Sequence, residues 1–385
     1  MNDKIRILHI LPSLECGGIE TWLLHLMKSI DRNKYQFDFL IRFPKPCFYE
    51  NSFKKLGATI YRVPAKVNGR KRPLRYLLGI RDVLKKGKYD IVHCHEGFNS
   101  GIYIVIAKSV GVPVRIAHAH NDYSRSLAQG SKINFLISKI KGALIKSYAT
   151  RGLACSSQGA ASLFGNDWQS DSRWMIFFCG LDFTPFQKEV DSKRIRKSLG
   201  IPSDAKVIGH VGRFVEQKNH KKIISIFKHV AKKRSDAYLL LVGDGVLQDD
   251  IKHYVEQLGL SERVVFAGVR SDVSDLMLGA MDVFLFPSRF EGLGLALVEA
   301  QAAGLPCVIS DVIPKEADVV SKLVRRLPLS CSDDIWADKI IHFMQINKIN
   351  KFDRRLFRNF DVTYSVNALA DLYNREIAFL HNQLK

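Results

Sequence analysis

The feature that most constrains the fold is a twice-repeated alternation of short apolar runs with longer amphipathic stretches. In the first half the short runs are rich in β-branched residues and are bounded by Gly, Pro, Asn or Asp, which is typical of strands. The strands predicted there cover residues 5–11, 37–41, 59–63, 91–95, 114–117 and 152–155. Helical spacing of apolar residues predicts helices between them, over residues 19–30, 73–86, 100–110 and 132–147. Near-continuous apolar strands that alternate with helices predict a parallel sheet covered on both faces.

The second half repeats this pattern. Its predicted strands are 207–210, 238–242, 264–267, 283–286 and 306–309, and its predicted helices are 221–233, 247–258, 273–278 and 295–303. We therefore predict an α/β protein with two doubly wound, Rossmann-like domains, residues 1–185 and 186–363, that face each other across a cleft. A last helix, 364–385, is predicted to pack back on the first domain. Ligands of such sheets bind outside the carboxyl ends of the strands, so the informative residues should follow strands.

The net charge of the chain indicates which kinds of partner it can bind and says nothing about its fold. The 385 residues carry a formal charge of +20, and residues 1–190 alone carry +15. Nucleic acid, an anionic membrane surface and a phosphorylated substrate are all compatible with this excess. No apolar run reaches the length of a membrane span, and the first residues lack the pattern of a secretory signal. Seven scattered cysteines without a C-x-x-C pair favour reduced thiols, and with them a cytoplasmic location.

A glycine pair follows the first predicted strand. Cys16-Gly17-Gly18-Ile19-Glu20 opens a helix, and glycines there let the backbone and the free helix N–H groups approach an anion. The motif is not G-x-G-x-x-G, and no suitable acidic residue follows the second strand, so a nicotinamide site is disfavoured. A plain tight turn is the alternative.

Four histidines end two neighbouring strands, in the motifs His93-Cys94-His95 and His118-Ala119-His120. Histidines two apart on a strand share a face, so they could supply the three ligands of a zinc site. Nothing else in the sequence requires a metal, and we expect none. An imidazole that positions a hydroxyl or steadies developing charge is favoured. Histidines that are merely hydrogen-bonded at strand ends remain the alternative.

The exits of the second-half strands carry cations and glycines. Arg213 and Lys218 lie five apart in a loop that opens a helix, which suits a diphosphate, although two solvated cations are the alternative. Gly243 and the pair Gly268-Val269 end the next two strands and could present backbone groups to a nucleobase.

The most specific pattern is a pair of glutamates, Glu291 and Glu299, separated by seven residues. Glu291 lies in a glycine-rich loop after a strand, and Glu299 lies in an otherwise apolar helix. Burying a carboxylate among Ala, Leu and Val is costly unless it meets a partner, and the vicinal hydroxyls of a ribose are such a partner. The N–H groups at Leu293, Gly294 and Leu295 are placed for a phosphate or sugar oxygen. The helix dipole alone would explain Glu299 but not Glu291.

Together these motifs resemble family 4 glycosyltransferases of the two-Rossmann-domain (GT-B) architecture, and the chain is most similar to the EpsF-like branch associated with exopolysaccharide and capsule synthesis. The resemblance runs over nearly the whole chain. It implies that Arg213 and Lys218 hold the donor diphosphate, that Glu291 binds hydroxyls of the transferred sugar and that Glu299 binds the ribose. It also implies that Gly17 and Gly18 approach the phosphates or the acceptor. His118 resembles the histidine beside the transferred sugar in this family, with His120 as the other candidate.

The resemblance implies a retaining transfer from a UDP- or GDP-sugar to a glycan or undecaprenyl-diphosphate-linked acceptor, without a metal or other cofactor. The basic first half, and above all residues 66–88 and 132–151, would dock on the inner face of the cytoplasmic membrane. Lys132, Lys139 and Lys146 share one helix face beside apolar residues, and a core helix with a solvated basic edge is the alternative. A nucleotide-sugar epimerase on the same architecture stays open as a second activity. A nucleic-acid-binding protein is disfavoured, because Phe and Tyr lie mostly in strands rather than among the cations.

Overall fold

The structure is a computed structural model that describes residues 4–15, 17–67, 70–124, 127, 130–346, 348 and 352–383. The chain forms two compact units, one of Met1–Asp182 with Asn359–Lys385 and the other of Phe183–Arg358. We call them unit 1 and unit 2. The six cysteines in the described part of the chain carry free thiols, five of them buried. No helix within these residues has both the length and the apolar character needed to cross a bilayer.

Unit 1 begins with strands and helices in alternation. Its strands are β1 (Ile5–Leu11), β2 (Tyr35–Ile41), β3 (Ile60–Arg62), β4 (Lys66–Val67), β5 (Arg70–Lys71), β6 (Ile91–Cys94), β7 (Val114–Ala119), β8 (Arg151–Ala154) and β9 (Trp174–Ile176). Its helices up to that point are α1 (Gly18–Ser29), α2 (Glu50–Lys55), α3 (Pro73–Gly87), α4 (Ser100–Ser109), α5 (Lys132–Tyr148) and α6 (Ser157–Phe164). Seven of the strands form one parallel sheet in the order β3-β2-β1-β6-β7-β8-β9, while β4 and β5 form a separate antiparallel hairpin.

The sheet order of unit 1 reverses between β1 and β6. Ile7 pairs with Ile91 and His9 pairs with His93 in parallel register. The inner strands are apolar because helices cover both faces, and Leu8 has no exposed surface. The carboxyl ends of β1, β6 and β7 therefore lie side by side, and the histidines of these strands come together there.

Unit 2 has the strands β10 (Lys206–Val211), β11 (Ala237–Val242), β12 (Val264–Gly268), β13 (Val283–Phe286), β14 (Cys307–Ser310) and β15 (Val324–Leu327). Its helices are α7 (Ser192–Ser198), α8 (His220–Lys233), α9 (Gln248–Gln257), α10 (Leu295–Ala302) and α11 (Asp333–Phe343). All six strands are parallel, in the order β12-β11-β10-β13-β14-β15. This is the order of a dinucleotide-type doubly wound sheet, with its switch point between β10 and β13.

The last helix, α12 (Val362–Gln383), returns the chain to unit 1. Trp22 Nε1 donates to Ser365 Oγ at 3.4 Å, and the Tyr35 hydroxyl donates to Asn374 Oδ1 at 2.8 Å. Arg151 forms an ion pair with Glu376 at 2.5 Å. Contacts with α1, β2 and β8 thus fasten this helix to the first unit of the chain.

Candidate active site

A buried ion pair joins the loops that follow β10 and β13. Lys218 Nζ lies 2.6 Å from Glu291 Oε1, and both side chains are largely buried. The ammonium also lies 4.6 Å from the centroid of the Phe286 ring, within the range at which a cation and an aromatic face attract. The sequence predicted separate roles for these two side chains, and the structure places them in direct contact.

Hydrogen bonds tie the same two loops together. The Gln217 side-chain amide donates to Phe290 O at 3.0 Å and to Glu291 Oε2 at 3.3 Å. The Arg289 backbone amide donates to Gln217 O at 2.8 Å. Asn219 caps the N-terminus of α8 with a φ of +60°, a left-handed conformation in which Asn is one of the better tolerated residues. The loops therefore hold Glu291 in place from two sides.

Arg213 is the free cation of this site. Its side chain is exposed and forms no ion pair or hydrogen bond within the described residues. The neighbouring Gly212 leaves little space: a Cβ there would lie 3.0 Å from His210 Nε2 and 3.2 Å from the Lys218 stem. The loop thus carries one cation paired inside the protein and one available to an anion.

Helix α10 begins directly after the glycine-rich loop. Gly294 precedes it with a φ of +93°, which L side chains rarely adopt, while Leu293 is buried and anchors the loop. The first N–H groups of the helix, from Leu295 on, have no acceptor within it. Glu299 lies half-buried in this helix, and burial raises its pKa to about 7. Its carboxyl has no hydrogen-bond or ionic partner in the part of the chain described, so it suits a hydroxyl-bearing ligand.

The structure gives Gly243 and Gly268 a backbone contact that the sequence did not predict. The Gly243 amide donates to Gly268 O at 2.8 Å, so neither group is free for a nucleobase. A Cβ on Gly243 would lie 2.2 Å from Gly212 O, and the residue has a φ of +131°. The absence of a side chain at Gly243 lets the loops that follow β10 and β11 approach each other closely. Val269, just beyond, is exposed and keeps its place as a candidate for ligand contact.

Three buried polar side chains beside this site were not predicted from the sequence. His210 Nε2, both ring nitrogens of His220 and Ser288 Oγ have no hydrogen-bond partner within the described residues. His220 stacks on Phe214 with 4.0 Å between ring centroids. Burial lowers the pKa of His220 to about 4 and that of His210 well below its ordinary value. The position of His210 at a strand end was the only signal of it in the sequence.

In unit 1 the glycine turn leads into α1. Gly17 has an extended backbone, and a Cβ there would lie 2.4 Å from Glu20 Oε2, the end of a flexible side chain. Cys16 lies outside the described residues. A carboxylate thus already occupies the first turn of α1, close to the backbone expected to meet phosphates. This favours a neutral hydroxyl over an anion at Gly17 and Gly18.

Five histidines form a buried cluster at the carboxyl ends of β1, β6 and β7. The histidine cluster comprises His9, His93, His95, His118 and His120. His9 Nδ1 lies 2.9 Å from His95 Nε2, and His95 Nδ1 lies 2.7 Å from His120 Nε2. His120 Nδ1 in turn lies 3.6 Å from Cys179 Sγ. His9 was not a sequence candidate, because only the sheet order brings β1 beside β6.

The other two members of the histidine cluster form a second chain of contacts. His93 Nδ1 lies 2.8 Å from the Tyr373 hydroxyl, and His93 Nε2 lies 3.2 Å from His118 Nδ1. His118 Nε2 is buried and forms no hydrogen bond with any described residue. Tyr373 comes from α12, so the end of the chain completes the surroundings of the cluster.

Burial makes the imidazoles of the histidine cluster neutral. It lowers the pKa of His9 and of His120 to about 3, and it lowers that of His118 well below the ordinary value. His118 and His120, the two candidates for the active-site histidine, differ in their exposure to solvent. His118 has no exposed surface, whereas His120 is half-buried. Of the two, His120 is therefore the histidine that a ligand can reach.

The fold of the chain is that of the GT-B class, with two doubly wound units. Anabaena HepE in complex with UDP and glucose superposes with a TM-score of 0.79 at 19% identity, over 96% of this chain and 99% of that one. The prediction of two Rossmann-like domains of this class is confirmed.

The sequence comparisons identify the family. Residues 17–167 match the family described as glycosyl transferase 4-like domain, and residues 191–359 match glycosyl transferases group 1. EpsF of Bacillus subtilis (strain 168), a protein assigned as a glycosyltransferase, is 33% identical over 99% of this chain and 100% of its own length. The Escherichia coli UDP-Gal:alpha-D-GlcNAc-diphosphoundecaprenol alpha-1,3-galactosyltransferase is 26% identical over 97% of each chain. The chain belongs to the same glycosyltransferase family as EpsF, as its motifs predicted.

Proposed function

We propose that the protein transfers a sugar from a nucleoside diphosphate donor to a hydroxyl of a lipid-linked glycan in surface polysaccharide synthesis, with retention at the anomeric carbon. One observation carries this proposal: Arg213, the Lys218–Glu291 pair, the start of α10 and Glu299 all belong to the β10–β13 switch point. Two relatives support it. HepE was crystallised with UDP and glucose, and the E. coli galactosyltransferase is named for a UDP donor and a diphosphoundecaprenol acceptor.

The cations and the helix N-terminus neutralise the leaving diphosphate. Arg213 is exposed and unpaired, so its guanidinium can bind two phosphate oxygens at once. Lys218 shares its charge between Glu291 and the donor, and the free N–H groups at the start of α10 add partial positive charge. Donors fixed in advance where charge develops are a large term in catalysis. This chemistry needs no divalent ion at the diphosphate.

The carboxyl groups of Glu291 and Glu299 bind two different parts of the donor, the transferred sugar and the ribose. Glu291, held by Lys218 and Gln217, accepts hydrogen bonds from hydroxyls of the transferred sugar. Glu299, which lacks a partner in the described chain, accepts from the ribose hydroxyls. On the acceptor side we assign Gly17 and Gly18 to a sugar hydroxyl rather than to phosphate, because of the Glu20 carboxylate. His118 is enclosed and is given no contact with the sugar.

Helix α5 provides the surface for an anionic membrane. The apolar side chains of its first half are exposed rather than packed, with Ile133 71% and Leu136 61% exposed and Ile140 also exposed. Lys132 and Lys139 flank that face and are exposed as well. An amphipathic helix with a basic edge binds anionic lipid in two ways: its apolar side chains enter the membrane interface, and its basic side chains attract the anionic headgroups. The exposure of these side chains favours the membrane surface over the alternative of a core helix, which would bury them.

A thermal-shift series with UDP, GDP, ADP and their sugars tests the proposed donor. A ligand at about 100 times its dissociation constant adds roughly 2.7 kcal/mol to the stability of the state that binds it. We expect one nucleotide to stabilise the protein and Glu299→Gln to weaken that effect. If no nucleoside diphosphate or nucleotide sugar shifts the unfolding temperature, the proposed donor class is wrong. Conversion of a bound nucleotide sugar to its epimer without an acceptor would favour the epimerase instead.

A further inference from the structure

The segment between β2 and α2 carries cations and aromatic rings to which the proposed function gives no role. We call residues 42–49 the β2 loop. Its side chains Arg42 and Lys45 are exposed, and so are Phe43 (38%) and Phe48 (61%). The loop follows the carboxyl end of β2, which is the edge at which parallel sheets of this kind bind their ligands. Large apolar side chains that stay exposed there indicate an interaction surface.

A buried carboxylate holds Arg42 in place. Arg42 Nε lies 3.3 Å from Glu96 Oε2, and the Glu96 side chain is only 2% exposed. Neither oxygen of Glu96 has a hydrogen bond within the described residues, so the guanidinium is the ion-pair partner that compensates its burial. The closest contact of the pair is made by Nε. The two terminal amino groups of Arg42 form no hydrogen bond with a described residue and are left for a ligand.

Arg62 fixes the backbone of the β2 loop. Its guanidinium donates to Phe43 O and to Lys45 O, at 3.0 Å each, and to Glu50 Oε2 at 2.7 Å. The Phe43 amide donates to Pro12 O at 3.0 Å, which ties the loop to the segment that leads to the glycine turn. Since the loop is already held in one conformation, binding a ligand costs little further ordering.

The charges around the β2 loop leave an excess of cations. Glu96 is attracted by Lys141 of α5 as well as by Arg42, so one carboxylate is shared by two cations. Glu15 accepts a hydrogen bond from the loop backbone at 3.4 Å and opposes an anion there. Lys45, which has no ion pair within the described part of the chain, offsets that charge. The local balance is therefore positive.

We propose that the β2 loop binds the diphosphate of a lipid-linked acceptor, with the Arg42 guanidinium on the phosphate oxygens and Phe43 and Phe48 against the start of the lipid chain. The assignment rests on the proposed function, which supplies the acceptor. A planar guanidinium with two free amino groups can bind a phosphate in bidentate fashion, and the Lys45 ammonium adds a point charge. A diphosphate joined to an apolar chain is a ligand that uses cations and exposed rings together. Glu96 acts through Arg42 and is a positioning residue.

The loop lies next to the other residues assigned to the acceptor. Gly17 and Gly18 belong to the segment between β1 and α1, and β1 pairs with β2. The glycan and the diphosphate of one acceptor would thus be bound at the same edge of the sheet of unit 1.

Binding is measured on the full-length protein without a nucleotide sugar, so the result does not depend on sugar transfer. The probes are farnesyl diphosphate and inorganic pyrophosphate, by isothermal titration, and anionic vesicles, by cosedimentation. All proteins carry Arg213→Ala, which weakens capture of a diphosphate in unit 2. The variants on this background are Arg42→Gln, Arg42→Lys and Phe48→Ala. The control is Arg32→Gln, which changes an exposed arginine just before β2.

We expect farnesyl diphosphate to bind and Arg42→Gln to weaken it at least about tenfold, as for the loss of a charge-assisted hydrogen bond. Arg42→Lys should recover only part of the affinity, because an ammonium cannot bind in bidentate fashion. Phe48→Ala should weaken farnesyl diphosphate and leave pyrophosphate unchanged. The control Arg32→Gln should bind both as the background protein does, and Arg42→Gln should leave vesicle binding unchanged.

Circular dichroism checks that the variants fold. Arg42→Gln leaves a buried carboxylate unpaired, so Arg42→Gln with Glu96→Gln replaces it if the single variant fails to fold. Failure to bind farnesyl diphosphate, or undiminished affinity in a folded Arg42 variant, would overturn the proposal. Equal weakening of both diphosphates with no effect of Phe48→Ala would overturn it in favour of a free phosphate. Loss of vesicle binding in Arg42→Gln would overturn it in favour of a lipid headgroup. The expected affinities without sugar transfer from any donor would refute the proposed function and leave this site standing.

Discussion

At the scale of single residues, Glu299 connects pH to stability. Burial raises its pKa in the folded protein to about 7, above the value of about 4.5 in the unfolded chain. The folded state therefore favours the protonated carboxyl. Stability from this group is fully present below about pH 4.5 and is lost as the pH rises through 7. We predict that Glu299→Gln raises the free energy of unfolding by about 2 kcal/mol at pH 8 and by little at pH 5.

Urea denaturation of the parent and of Glu299→Gln at the two pH values measures this difference. Glu291→Gln is the matched control, because the Glu291 carboxyl already has Lys218 as a partner. An equal effect of Glu299→Gln at both pH values would contradict the burial argument.

The two cations should respond differently to removal. Arg213 is exposed and unpaired, so Arg213→Ala should change the free energy of unfolding by less than about 0.5 kcal/mol while lowering turnover about 10²–10³-fold. Lys218→Ala should lower turnover similarly and also destabilise by about 3 kcal/mol, because it leaves the Glu291 carboxylate buried and unpaired. Denaturation and initial-rate measurements separate the two effects.

The control for this comparison is the double variant Lys218→Ala with Glu291→Gln. It removes the stranded charge, so it should recover most of the lost stability and none of the lost turnover. Normal turnover in Arg213→Ala would remove that residue from the site.

The two glutamates can be told apart by ligand. Glu291→Gln should leave the affinity for the bare nucleoside diphosphate nearly unchanged and lower kcat, because an interaction made chiefly in the transition state is expressed in kcat. Glu299→Gln should weaken binding of the bare nucleotide. Isothermal titration with the nucleotide and steady-state kinetics test both statements. Equal losses of nucleotide affinity in both variants would be inconsistent with the assignment.

At the scale of elements, helix α5 carries the membrane prediction. Replacing Ile133, Leu136 and Ile140 with Gln should abolish cosedimentation with anionic vesicles, and replacing Lys132 and Lys139 with Gln should make the remaining binding more sensitive to salt. Lys146 is left intact, because Asp167 lies 3.4 Å from it and already offsets its charge. Because the replaced side chains are exposed, the thermal stability should stay near that of the parent.

A control for the vesicle experiment is Ile335→Gln, which removes an exposed apolar side chain of unit 2. It should bind vesicles as the parent does. Parent-like binding by the triple α5 variant would show that another surface makes the contact.

Elements with a strong apolar period were predictable from the sequence, and those without one were not. Strand β1 was predicted with the bounds it has, because five of its seven residues are apolar and the run stands between Lys4 and Pro12. Helix α7 was missed, since Ser192–Ser198 is mostly charged and buries chiefly Arg196. The predicted helix from 273 continues as a π-helical turn at Leu276–Ala280, a deviation that spacing alone does not reveal.

Contacts across the sheets were the part of the site that sequence reasoning could not supply. Lys218 and Glu291 are 73 residues apart, and only the placement of β10 beside β13 brings them within 2.6 Å. His9 joins the histidine cluster for the same reason, through β1 and β6. Residue types at strand ends were predictable from the pattern, whereas their partners depended on strand order.

At the scale of the whole molecule, unit 1 is built from two separate segments of the chain, one before unit 2 and one after it. A boundary was predicted near residue 185 from the composition, and the structure divides the chain between Asp182 and Phe183 and returns it at Asn359. The basic excess of the first half remains a prediction about partners. The residues that we propose to bind the donor all lie in unit 2, so the proposed function depends on one reaction at that site, whatever the acceptor.

The most direct test of that account is acceptor-dependent release of a nucleoside diphosphate. UDP-, GDP- and ADP-sugars are supplied in turn, with and without a lipid-linked glycan, and the released diphosphate is measured for the parent and for Arg213→Ala. The account predicts release from one donor only when the acceptor is present, lowered about 10²–10³-fold in a folded Arg213→Ala protein. Release that does not depend on the acceptor, or equal rates in the parent and the variant, would contradict it.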